Sequence, residues 1–152
     1  MTAIPAVAAV TTELDETERW LYDRLTKDTG VIAAVAGRVF GYVAPALTVY
    51  PFLLFNWQGD HDVQTHDGST IWVEAVYTVQ AIGEGRSAEA IGPAAAALHY
   101  SLQGASGLTP SGRARVISCL RDSSLTMGEL TGGRQYRHVG GQYRIRTQLI
   151  GT

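Results

Sequence analysis

Two apolar runs, Val49-Tyr50-Pro51-Phe52-Leu53-Leu54-Phe55-Asn56-Trp57 and Thr70-Ile71-Trp72-Val73-Glu74-Ala75-Val76-Tyr77-Thr78-Val79-Gln80-Ala81-Ile82, decide how the rest of the chain must fold. Both are dense in aromatic and aliphatic residues, and a polar, Gly-bearing connection from Gln58 to Ser69 separates them. Such a pair reads as a long antiparallel hairpin. In the second run Ile71, Val73, Ala75, Tyr77 and Val79 share one face, and Trp72, Glu74, Val76, Thr78 and Gln80 share the other. The first set is more apolar, so it should meet the core while the second stays partly wet. Pro51 falls at the start of the first run, where a missing N–H is best tolerated.

Upstream, Leu14, Leu21 and Leu25 recur at helical spacing beside Trp20. Acidic residues from Glu13 to Glu18 crowd the first turns and Lys27 falls in the last, as a helix dipole favours. A helix over roughly 13–28 is predicted, with Gly30 ending it. Its apolar stripe is narrow, so the helix should be half exposed or packed on a neighbour. Residues 1–11 read as a flexible arm interrupted by Pro5, and 31–36 as a short helical turn stopped by Gly37. Downstream, Ser87 caps a second helix over about 88–103 with the stripe Ile91, Ala95, Leu98 and Leu102. Strands are predicted over 113–122 and 142–150; in the last, Tyr143, Ile145, Thr147 and Leu149 alternate with Arg144, Arg146 and Gln148. This order specifies an α+β fold: a single antiparallel sheet of about four strands with helices packed on one face. Residues 12–152 form one domain in this reading.

The 152-residue length suits one core, and the 45% apolar content excludes wholesale disorder. A net charge of −2 leaves no electrostatic footprint for nucleic acid. The lone Cys119 excludes an internal disulfide and a multi-thiolate zinc site, and its strand-like setting reads as a buried, inert thiol. No apolar run reaches the roughly 18 residues of a membrane span. The apolar start lacks a basic flank, so it reads as an arm rather than a signal peptide, and synthesis in the cytoplasm is expected.

Sites of chemistry are scarce. Asp60-His61-Asp62 with His66-Asp67 holds metal-ligand residue types, yet these are also the residues of a solvated turn, and no metal is expected there. Gly83-Glu84-Gly85-Arg86-Ser87 lacks both the third glycine of a dinucleotide fingerprint and a Walker lysine, so it reads as a loop with an N-cap. No Gly-x-Ser-x-Gly elbow is present. His99 reads as a packing or solvated residue, and Arg144 and Arg146 as a solvated or interface-facing strand side. Three connections, 58–69, 104–112 and 131–141, are long for a domain of this size, and such loops commonly carry interactions. Together these features favour an assembly protein without a cofactor over an enzyme. The candidate interface comprises Trp20, Gly59, Asp60, His61, Asp62, His66, Asp67, Trp72, Arg134, Arg137, Arg144 and Arg146.

The segments Val31-Ile32-Ala33-Ala34-Val35-Ala36-Gly37-Arg38-Val39-Phe40, Tyr50-Pro51-Phe52-Leu53-Leu54-Phe55, Asp67-Gly68, Ser87-Ala88-Glu89-Ala90 through Ala97-Leu98, Arg115-Val116-Ile117-Ser118-Cys119, Tyr136-Arg137-His138 and Tyr143-Arg144-Ile145 follow one another in a familiar order. That order resembles the tail terminator (tail completion) proteins of long-tailed bacteriophages over about residues 14–149. The arm at 1–11 departs from the family's common core. The resemblance implies a non-enzymatic virion subunit, made in the host cytoplasm, that forms a hexameric ring at the head-proximal end of the tail. Such a ring stops tube polymerisation and offers the surface that joins the head. Implied partners are further copies of the chain, the tail tube protein and a head-completion or neck protein, with DNA only as passing cargo and no membrane. The competing readings are a small α+β enzyme or ligand-binding domain with a pocket between the second helix and the sheet, and another neck subunit of the head-closure or adaptor kind.

Overall fold

A computed structural model describes residues 5–68, 70–85 and 91–150. The elements in chain order are α1 (Pro5–Lys27), α2 (Thr29–Val35), β1 (Val39–Gly41), β2 (Phe52–Gln64), β3 (Thr70–Glu84), α3 (Gly92–Leu102), β4 (Gly107–Leu108), β5 (Ala114–Thr131) and β6 (Arg134–Leu149). The strands make one six-stranded sheet in the order β1-β2-β3-β6-β5-β4. β1 lies parallel to β2, and the other pairs are antiparallel.

This sheet corrects the expectation of a wholly antiparallel sheet of about four strands. Two short strands, β1 and β4, add to the edges, and the connection from Tyr42 to Pro51 brings β1 in parallel to β2. Two of the three connections read as long loops, 58–69 and 131–141, are mostly strand, whereas 104–112 holds only the two residues of β4. Asp60, His61 and Asp62 pair with Ala75, Glu74 and Val73, so β2 runs on to Gln64 and β3 starts at Thr70. Residues 134–141 belong to β6, and β5 runs on to Thr131. The turn between them is Gly132-Gly133, at φ +60° and +77°, a two-residue turn in the left-handed region that glycine enters without penalty. Polarity misleads at these places because the far ends of β2 and β5 are at least partly exposed on both faces, so charged residues are stable in the ladder there.

The helices also depart from expectation at their ends. α1 begins at Pro5, within the stretch expected to be an arm, where proline suits a first turn and the following alanines favour helix. Asp28 breaks it and caps α2, accepting from the Val31 amide at 3.1 Å, so Gly30 sits inside α2. α2 ends where Ala36 turns left-handed at φ 53°. α3 carries Pro93 in its first turn, where the missing donor costs little; Ser87, its expected cap, lies outside the described residues.

All three helices cover the same face of the sheet. There Tyr77, Val79, Ala81, Tyr143, Ile145, Val116 and Cys119 meet Trp20, Leu21 and Leu25 of α1, Val31 and Val35 of α2, and Leu98 and Leu102 of α3. α1 sinks deeper than its apolar stripe implies, because Glu13, Glu16 and Thr17 are buried too. Thr17 Oγ1 lies 2.6 Å from Thr147 Oγ1, and Glu16 accepts from Thr109 at 3.0 Å and from Ser111. These long-range bonds satisfy polar groups that would otherwise oppose burial. Tyr143 reaches His99 Nδ1 at 2.9 Å, which places His99 in packing.

Candidate functional site

Among the described residues, no helix lies on the opposite face of the sheet. Alternation puts Trp72, Glu74, Val76, Thr78, Gln80 and Ile82 of β3 there, flanked by His61 and Asn56 on β2 and by Gln142, Arg144 and Arg146 on β6. The long side chains lie over one another. Glu74 is 7% exposed, beneath the side chains of Arg144, Arg146 and His61 on the neighbouring strands.

Glu74 is the hub of this face. Arg146 donates to it through Nε at 2.7 Å, and Arg144 through Nη1. Arg144 also donates to Asp122 at 3.0 Å through Nε and 2.7 Å through Nη2. His61 Nε2 stands 3.6 Å from Glu74. Burial pushes the Glu74 carboxyl up, but the bonds and charges of Arg144 and Arg146 outweigh it and hold the group below its ordinary value. Nearer the β5–β6 turn, His138 bridges Gln80 at 3.3 Å and Glu129 at 2.8 Å. Charge on this face is therefore largely paired internally.

Removing Arg144 tests the hub. The Arg144 side chain is 36% exposed, so the several kcal/mol that accompany breaking a buried pair must be discounted for solvent screening. Arg144→Met should cost about 2 kcal/mol in urea denaturation, with Glu74 keeping Arg146 and the more distant His61. Because Glu74 is depressed in the folded state, its contribution is present above the ordinary carboxyl range and is lost as pH falls through its folded value. The variant's deficit should therefore shrink in acid; a deficit independent of pH would show that Arg144 acts through packing alone.

The expected interface residues fall into separate places. Arg144, Arg146 and His61 come together around Glu74. Trp72 is half-buried beside them, opposite Val63, and its indole Nε1 has no hydrogen-bond partner among the described residues. Gly59 follows the β-bulge at Gln58 and pairs with Val76. Asp60 and Asp62 alternate with His61 and so point to the helix-covered side, which divides the Asp-His-Asp cluster between two faces. His66 and Asp67 are exposed in the β2–β3 turn. Arg134, beside the β5–β6 turn, stands 3.6 Å from Glu84, and Arg137 is half-buried opposite Gly83 and Gly128. Trp20 packs in the core, 4% exposed, with the Arg24 guanidinium 5.9 Å from its ring. Glu74 and Asp122 complete the network, and sequence reasoning misses both. The register of β3 against β6 is what sets Glu74 opposite Arg146, and it cannot be counted off without knowing that residues 134–141 are strand.

Two further surfaces stand out. The connection after β1 presents Val43, Val49 and a 99% exposed Leu47. Beside it, a groove is lined by Thr48, Tyr50, Phe52, Glu84, Arg134 and Tyr136, with Tyr50 and Tyr136 ring centroids 5.1 Å apart. Cys119 is fully buried, and burial pushes its thiol up to about 12 against the weaker opposing charge of Arg24.

No protein-family model and no curated protein matches this sequence. Among solved structures, the chain is similar to a chain of the structure described as "Virion of native gene transfer agent (GTA) particle", with a TM-score of 0.60 and 17% identity over 86% of this chain and 92% of that chain. At that identity the likeness establishes a common overall fold with a chain of that particle.

Proposed function

We propose that this chain is a non-enzymatic structural subunit of a phage-like virion, and that copies of it form a ring, six by the family resemblance, at the head-proximal end of the tail. The observation that carries the reading is the fold shared, over nearly the whole length of both chains, with a chain of a gene transfer agent virion. The ring ends tube polymerisation and offers a surface to the neck protein above it. The open face around Glu74 suits a channel wall for passing DNA, because its arginines are already matched by carboxylates and so offer little net positive charge to hold phosphate. Trp72 and the turn residues His66 and Asp67 stand at one end of the sheet and Arg134 at the other, with Gly59 at mid-height opposite Val76. We assign these two ends to contacts with the tube protein and the neck protein.

The test is deletion of the coding sequence followed by electron microscopy of the particles. Tubes of uncontrolled length and unjoined heads are expected, both corrected by supplying the chain. Tails of normal length joined to heads in its absence would overturn the reading.

A further inference from the structure

The sheet ends in two long strands that are covered over only part of their outer edges. β1 pairs with Leu53, Leu54 and Phe55 of β2, and the Tyr42 amide donates to the Phe55 carbonyl at 2.8 Å. Beyond Trp57, among the described residues, no backbone partner lies on the outer side of β2. At the far edge, β4 pairs with Arg115 and Val116 of β5. The Gly104 amide then donates to the Cys119 carbonyl at 2.8 Å, and the Arg121 amide to Gln103 Oε1 at 2.9 Å. Beyond Asp122, among the described residues, the outer side of β5 likewise has no backbone partner. Unpaired edges of this length invite another strand.

We propose that copies of this chain join edge to edge, the free part of β2 in one copy pairing antiparallel with the free part of β5 in the next. This deepens the ring reading and rests on it. Three observations make a second copy the fitting occupant. First, β2 and β5 run in opposite directions within the sheet, since each step β2-β3-β6-β5 is antiparallel. A copy placed alongside in the same orientation therefore brings its β5 antiparallel to this β2. Second, the outward backbone groups are those of residues on the helix-covered side. Leu53 and Phe55 bond outward on β2, and Cys119 and Arg121 on β5. Alternation beyond the bulges assigns the same role to Asp60 and Asp62, and to Ser124, Thr126 and Gly128. The side chains at those β5 positions are small, which leaves room for an incoming strand.

The third observation is the diagonal placement of the two edges. Asp60 is level with Ala75 of β3, and Thr126 is level with Val139 and hence Ala81 of β3. Six residues of β3 separate those levels, about 20 Å along the strands at ~3.3 Å per residue. Four strands at ~4.8 Å spacing carry the sheet about 19 Å sideways per copy. Joining free edge to free edge thus displaces each copy at about 45° to its strands, close to the strand tilt of closed barrels, about 35–45°. The contact is head-to-tail, the kind that generates rings when the rotation closes.

Proline substitution tests the contact without breaking the subunit's own ladder, because an outward N–H is where an edge strand tolerates it. Thr126→Pro and Asp60→Pro should each leave the far-ultraviolet circular dichroism spectrum and thermal unfolding close to wild type, while weakening self-association at least tenfold in sedimentation and native mass measurements. A second experiment is independent of proline. Asp60→Cys and Thr126→Cys proteins, mixed, should give a cross-linked heterodimer with a short bismaleimide, and neither alone should; the buried native Cys119 contributes no background. Rings that form in solution or on tails with no cross-link between positions 60 and 126, and with both proline variants assembling as wild type, would overturn the edge contact and leave the ring reading intact. A chain monomeric in solution and absent from tail ends would overturn both.

Discussion

Gly140→Ala should destabilise the protein by about 3–4 kcal/mol, the overpacking of a closed site plus the loss of one or two ladder hydrogen bonds. A Cβ at residue 140 would stand 2.1 Å from the Val79 carbonyl oxygen and 2.5 Å from Gln80 Cα. Both are backbone atoms of the paired strand, so no rotamer change relieves the contact; β3 and β6 must separate. The next residue is also confined, with a Cβ at Gly141 meeting the Ser123 carbonyl oxygen at 2.6 Å. Two adjacent glycines thus let β6 pass close to both of its neighbours at the centre of the sheet, the role glycine plays inside a strand when another backbone comes near. For a chain of this size the loss corresponds to a fall in Tm of about 10 °C. Gly128→Ala is the control, since a Cβ there meets nothing within 4 Å, and it should cost well under about 1 kcal/mol. Equal urea midpoints for the two variants would show that β3 and β6 are not pressed together at Gly140.

The same glycines explain where the sequence misleads. Gly-Gly occurs at 132–133 and again at 140–141. The first pair is a tight turn and the second is mid-strand, and composition alone cannot distinguish a residue chosen for positive φ from one chosen for want of a side chain. β3 is legible because its residue types and its period-two pattern agree, and Val73, Ala75, Tyr77, Val79 and Ala81 are all buried as that pattern requires. β2 is legible only to Trp57. Beyond the bulge at Gln58 its charged residues carry the composition of a turn, while its ladder continues to Gln64. The burial of Trp20 is hidden for another reason. α1 looks narrowly amphipathic because Glu13, Glu16 and Thr17 interrupt its apolar face, and the partners that allow Glu16 and Thr17 to be buried lie more than ninety residues away in the chain. Of the candidate interface, the Arg144–Arg146 alternation is visible in the sequence, while the carboxylates it answers require the strand register.

With one unit of pKa shift corresponding to about 1.4 kcal/mol, Glu13→Gln should stabilise the protein by about 3 kcal/mol at pH 8 and leave it nearly unchanged at pH 4. Burial and the neighbouring charge of Asp62 push the Glu13 carboxyl from 4.5 to about 7, against a smaller opposing hydrogen bond from the Val73 backbone. The group is 2% exposed. Because its folded value lies above its unfolded one, the folded chain binds the proton more tightly. Its contribution is fully present below about 4.5, falls as pH rises, and is lost above about 7. An amide in its place stays neutral across that window, so the stability of Glu13→Gln should run flat where that of the wild type declines. Asp62→Asn removes the like charge while leaving the burial, and should move the wild-type decline to lower pH without abolishing it. Unfolding curves collected from pH 4 to pH 8 decide the matter. A Glu13→Gln variant that is less stable than wild type at pH 8 would mean that α1 holds this carboxylate ionised and partnered, and that its closeness to Asp62 is not a source of strain.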